Sequence, residues 1–200
     1  MRYVKLLSLA AVAAVAAVAL VGTGSASAWG FCKSAELNEE GVCARPYTAG
    51  TIYAGTLETG NTAQFTGTAA VTCKSAGFEF EQLSPAHTSV VGEMEPVTFG
   101  NCNGTVTAVN LPWEVNIVDI SGGKGTWEAT LSGLGAGEPG VQIGSCTYTA
   151  TAMEFEFFDT LVTGGNARMT GVIPLSGKCG GETLTVKYRV IPPAGTIYPG

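Results

Sequence analysis

The glutamate pairs Glu79/Glu81 and Glu154/Glu156 have the spacing in this chain most suggestive of chemistry. Two carboxylates can cleave a glycosidic bond when they flank the sugar about 5–9 Å apart. Each pair alternates with phenylalanine, however, and glutamates at i and i+2 also suit the wet face of a strand. A glycosidase-like enzyme therefore ranks third among the readings. Acyl transfer by serine needs a histidine base. His87 is the only histidine, it sits in the turn-like Ser84-Pro85-Ala86-His87, and no G-x-S-x-G elbow surrounds any serine. No C-x-x-C pair accompanies that single histidine, which argues against structural zinc. Asp119 and Asp159 are the only aspartates, too few for a dedicated calcium loop. The glycine-rich stretches lack the phosphate-cradling G-x-x-x-x-G-K-[ST] pattern. The sequence thus assigns no catalytic residue, no cofactor and no metal ligand. What remains is aromatic: Trp113, Trp127 and Tyr148 are candidate ligand-binding side chains, able to stack on a sugar or a partner if they converge on an open pocket. The competing reading of Trp113, which opens an alternating run, is that it fills the core.

The elements that would position these residues read as strands. Phe78 and Phe80 alternate with Glu79 and Glu81, and Trp113, Val115 and Ile117 with Glu114 and Asn116. Met153, Phe155 and Phe157 alternate with Glu154 and Glu156, and Leu184, Val186, Tyr188 and Val190 with Thr183, Thr185, Lys187 and Arg189. Period two over five to eight residues marks a strand with one dry and one wet face. Gly60-Asn61, Asn103-Gly104, Gly122-Gly123, Gly164-Gly165-Asn166 and Gly180-Gly181 punctuate the runs as turns. The spacing predicts an all-β fold, an antiparallel β-sandwich of two sheets with about 8–11 strands over residues 48–193. Residues 29–47 read as a disulfide-clipped N-terminal loop. Residues 194–200, beyond Pro192 and Pro193, read as a C-terminal tail.

Residues 1–28 read as a secretory signal peptide. Arg2 and Lys5 precede an apolar run from Leu6 to Val21, and Ala26-Ser27-Ala28 supplies small residues before Trp29. That run is short of the ~20 residues a membrane span needs, so no span is expected after cleavage. The chain after residue 28 carries a formal charge of −8, from eight basic and sixteen acidic residues. Such a balance excludes nucleic acid as a natural partner. All six cysteines, Cys32, Cys43, Cys73, Cys102, Cys146 and Cys179, follow the signal. An even count in an exported chain reads as disulfides. Nearest-neighbour pairing is favoured among the alternatives: Cys32–Cys43, Cys73–Cys102 and Cys146–Cys179.

The segments Val71-Thr72-Cys73, Val97-Thr98-Phe99-Gly100-Asn101-Cys102, Val106 through Val115 with Leu111-Pro112-Trp113, and Cys146-Thr147-Tyr148 occur in that order. In this the chain resembles a set of secreted actinobacterial proteins, Thr-, Gly- and Cys-rich β proteins. The Leu-Pro-Trp segment after a cysteine turn is also similar to the PraB family, named as protein activators of alkane oxidation. The resemblance implies a fold and an extracellular address, and no catalytic residues. The functional expectation is a secreted, non-enzymatic β-sandwich protein, extracellular or cell-surface associated, acting as a surface, matrix or interaction protein. Its partner would be an extracellular protein or a carbohydrate. The alternative is a binding module for a small apolar molecule or carbohydrate.

Overall fold

Alternating runs bury one face each, and the structure shows how those faces are shared. The computed structural model describes residues 31–33, 45–84, 89–119, 126–134, 137–158, 167–192 and 198–199. The signal segment, Cys43, His87 and Asp159 lie outside the described residues, and with Cys43 the Cys32–Cys43 pairing. Among the described residues there are fourteen strands and no helix. They are β1 (Phe31–Cys32), β2 (Ile52–Leu57), β3 (Ala63–Gly67), β4 (Val71–Gln82), β5 (Ser89–Cys102), β6 (Val106–Val109) and β7 (Trp113–Asp119). They continue with β8 (Thr126–Gly133), β9 (Gly140–Ile143), β10 (Cys146–Thr149), β11 (Met153–Phe158), β12 (Ala167–Gly177), β13 (Gly180–Ile191) and β14 (Tyr198–Pro199).

The expected two-sheet sandwich of about 8–11 strands is not what forms. The main sheet curls and closes into an eight-stranded barrel. Seven staves run β4–β5–β7–β8–β11–β12–β13, every neighbour antiparallel. The eighth is shared end to end by β2 and β3, which both pair with β4 on one side and β13 on the other. Closure has a physical reason. Strands as long as the 12-residue β4 and β13 coil strongly, and joining their free edges satisfies the unpaired backbone that an open sheet would expose. A further three strands, in the order β10–β9–β6, extend from the lower half of β12. β14 pairs with β1 in a separate two-residue ladder, so Tyr198–Pro199 does join a strand pair, where the sequence suggests only a tail.

The inward and outward faces fall as the alternation requires. Phe78, Phe80, Trp113, Val115, Ile117, Met153, Phe155, Leu184, Val186, Tyr188 and Val190 are all buried. An eight-stranded barrel leaves just enough interior for side chains to fill. The void among Phe78, Met94, Trp113, Phe155 and Tyr188 measures about 10 Å³, roughly the room of a single water. Two disulfides fasten the wall. Cys73 and Cys102 face each other across β4 and β5, with Cα atoms 3.9 Å apart. Cys146 is bonded to Cys179, Cα–Cα 6.0 Å, and so ties β10 to the β12–β13 turn. Both are the pairings that nearest-neighbour spacing favours.

Gln82, an inward residue at the end of β4, is fully buried and fully used. Its Oε1 accepts from Tyr53 Oη at 2.8 Å, and its Nε2 donates to the Ser84 carbonyl at 2.7 Å and the Tyr47 carbonyl at 3.3 Å. The Tyr47, Tyr53 and Phe80 rings pack in series, each step 5.5 Å between centroids, and close that end of the barrel. Burial, reinforced by the neighbouring Tyr47, pushes the Tyr53 phenol far above its ordinary range. Burial alone does the same to Tyr188. Above pH ~10 the unfolded chain releases these phenolic protons while the folded chain keeps them, so stability is full below pH 10 and falls as pH rises. Each phenol contributes a slope of about −1.4 kcal/mol per pH unit. Urea unfolding midpoints measured from pH 9 upward should therefore fall, and Tyr188→Phe should remove part of the slope. A midpoint independent of alkaline pH would contradict this account.

Candidate functional site

The barrel wall is not laddered all the way round. β11 and β12 share three rungs only, Glu156↔Thr170, Phe157↔Met169 and Phe158↔Arg168. The next rung of the same side-chain parity, Glu154 opposite Val172, is absent, and β12 regains a partner on this side only at Ser176 and Gly177, opposite β10. Both strands keep their other neighbours throughout, β8 for β11 and β13 for β12. The result is a cleft of about 430 Å³ in the outer wall.

Hydrogen-bonding direction follows from the alternation of an antiparallel ladder. The Thr183 carbonyl accepts from the Thr66 hydroxyl of β3 and the Lys187 carbonyl from the Glu58 N–H just past β2, so these residues of β13 face away from β12. It follows that Gly171 and Ile173 bond across to β13, while Val172 and Pro174 turn their backbone towards the cleft. On β11 the same alternation turns the Glu154 backbone towards the cleft. Glu154 and Val172 therefore turn their backbones towards one another where the ladder has no rung.

Side chains complete the lining. Glu128 of β8 stands directly opposite Glu156 of β11, and Glu154 is two residues along. Across the cleft stand Thr170 and Val172, then Thr185 and Lys187 on β13. Val172 is 70% exposed, far more than a wall valine needs. The inner floor is Phe155, packed so closely on Gly171 that a Cβ there would lie 2.6 Å from the ring. Among the described lining residues, three carboxylates stand against the Lys187 ammonium and make the lining electronegative. The nearby Arg168 is engaged elsewhere, in a 3.1 Å ion pair with Glu58. The set offers attraction for positive charge. Glu128 and Glu156 are cross-strand neighbours on one face, with Cβ atoms ~5 Å apart, and so point the same way.

Of the residues singled out from the sequence, Glu154 and Glu156 meet at this cleft. Glu79 and Glu81 do not; they are exposed on β4, where Glu81 lies opposite Glu93 and Glu93 opposite Glu114. Trp113 is 3% exposed, its indole N–H donating to the Val109 carbonyl at 2.9 Å, and Tyr148 is 1% exposed. Neither reaches the cleft. Trp127 lies on β8 opposite Asp119 and Phe157, and its side chain is outside the described residues. Glu128, Thr170, Val172, Thr185 and Lys187 were missed, because each alone is an ordinary wet-face residue. One sequence signal was there to use: Pro174 interrupts an otherwise central strand, and a residue without an N–H belongs where no ladder is made. Among the described residues no group of three or more His, Cys, Asp or Glu could hold a metal ion, and no helix is long and apolar enough to cross a membrane. No family model matches the chain, and neither the curated proteins nor the solved structures contain a match.

Proposed function

We propose that this is an exported, non-enzymatic barrel protein that acts outside the cytoplasm as a surface, matrix or interaction protein, and that it meets its partner at the β11–β12 cleft. The observation that carries the reading is the contrast between a filled interior and an open wall. The void described in the barrel core measures about 10 Å³, while the outer wall carries a cleft of about 430 Å³ where the β11–β12 ladder lacks a rung. Two disulfides favour an oxidising compartment, which agrees with the signal-like start of the sequence. Among the described lining residues there is no histidine and no thiol, and the three glutamates stand on one side of the cleft, on β8 and β11, rather than flanking a bond from both sides. Fractionation of producing cells is the test. The processed chain is expected in the extracellular or envelope fraction with its cysteines oxidised. Recovery of the processed chain from the cytoplasm would overturn the proposal.

A further inference from the structure

We infer that the Cys146–Cys179 bridge is a redox-operated clasp: a dithiol reductant that reaches it frees the β9–β10 hairpin from the barrel while the barrel itself stays closed. The place of the bridge in the ladder is the first ground. β10 meets β12 at Thr149↔Ser176 and Tyr148↔Gly177. Two residues further along, the same register brings Cys146 opposite Cys179. There β12 has already turned into the two-residue hairpin tip Lys178-Cys179 that leads to β13. The sulfur bridge thus stands where the β10–β12 ladder has ended. On its other side the hairpin is held by β6, a strand of four residues paired with β9.

Access is the second ground, and the two described bridges differ in it. Cys73 is 0% exposed, and its partner Cys102 is half-buried. Cys179 is exposed, at a hairpin tip beside Lys178 and Gly180. Thiol–disulfide exchange needs a thiolate to reach one sulfur, so the exposed bridge exchanges first. The positive charge of Lys178 favours the approach of that anion. One thiolate of the reductant attacks Cys179 Sγ, and Cys146 leaves as a thiolate. The second thiolate of the reductant then attacks the reductant sulfur of the mixed disulfide, and Cys179 leaves. The two electrons of the dithiol reduce the bridge, its two protons are taken up by the cysteine thiolates, and the dithiol ends as a disulfide. With the clasp open, β10 keeps two rungs to β12. The hairpin that can then lift carries Val141, Ile143 and Tyr148, which are buried in the same core as the barrel staves. Cys73–Cys102 secures no such flap, because β4 and β5 are laddered from Cys73 to Gln82.

The test treats the full oxidised chain with dithiothreitol in native buffer, traps free thiols with iodoacetamide and maps the labelled peptides. Cys146 and Cys179 should be labelled about tenfold faster than Cys73 and Cys102, or more, since exchange follows access. After that selective reduction, amide exchange in β9 and β10 should rise by about tenfold or more, while exchange in β4 and β5 stays within about twofold. Reoxidation with oxidised glutathione should restore the slow exchange. Reduction of both bridges at equal rates would overturn the inference, and so would selective reduction that leaves β9 and β10 exchange unchanged. Equal acceleration across β4 and β5 would overturn it as well, because the bridge would then be a staple of the whole fold and not the clasp of one hairpin.

Discussion

Replacing Cys146 and Cys179 together by serine is expected to lower the thermal midpoint by roughly 6–16 °C. The bridge closes a loop of 33 residues, for which the chain-entropy model gives about 3–4 kcal/mol. A domain of this size shifts by about 2–4 °C per kcal/mol. The position adds a local consequence. β10 touches β12 through only two rungs, Tyr148↔Gly177 and Thr149↔Ser176, so the bridge is the covalent part of a narrow attachment. Without it, amide exchange in β9 and β10 should accelerate before exchange in β4 and β5, which the Cys73–Cys102 bridge still holds. Circular-dichroism melts and hydrogen exchange measure both effects. A midpoint shift below about 3 °C would mean that the strand contacts alone hold β10 in place. Peptide mapping without reduction checks the pairing itself, and a Cys73–Cys146 crosslink would contradict it.

Gly92→Ala is expected to destabilise the fold by more than about 3 kcal/mol, or to abolish soluble expression, although it adds a single methyl. Gly92 lies inward on β5, and a Cβ there would sit 2.1 Å from the Glu81 carbonyl oxygen and 2.3 Å from Phe80 Cε2. The first contact is backbone, which cannot rotate away. The register between β4 and β5 already shifts between Phe78 and Phe80, so the local ladder has little freedom to absorb a further displacement. Gly60→Ala makes the comparison. Nothing lies within 4 Å of its Cβ, and only its φ of 82° opposes a side chain, at a cost of about 1–2 kcal/mol. Chemical denaturation of the two variants should therefore separate them clearly. Equal stabilities would show that β5 can move away from β4 at this point.

The faces of the strands and two of the bridges were legible from the residues alone. Period two tells which side chains are dry, because successive residues of a strand point to opposite sides whatever the strand pairs with. Hence Phe78, Trp113, Phe155 and Tyr188 are core, and Glu79, Glu154 and Lys187 are wall. Cys73 and Cys102, 29 residues apart, bracket one antiparallel turn of chain, and their pairing needs little more than that locality. Barrel closure lies at another level. It depends on β13 meeting β3 across rungs such as Thr66 opposite Thr183, 117 residues apart, in a ladder whose backbone bonds carry no side-chain identity. A one-faced strand suits a sandwich and a barrel equally, so only the assembled register decides between them. The cleft follows the same logic. Glu128, Glu154, Thr170, Val172 and Lys187 come from four strands and become neighbours only once the wall has closed. What opens the wall between two of those strands is the missing rung at Glu154 and Val172, a property of the ladder and of neither residue.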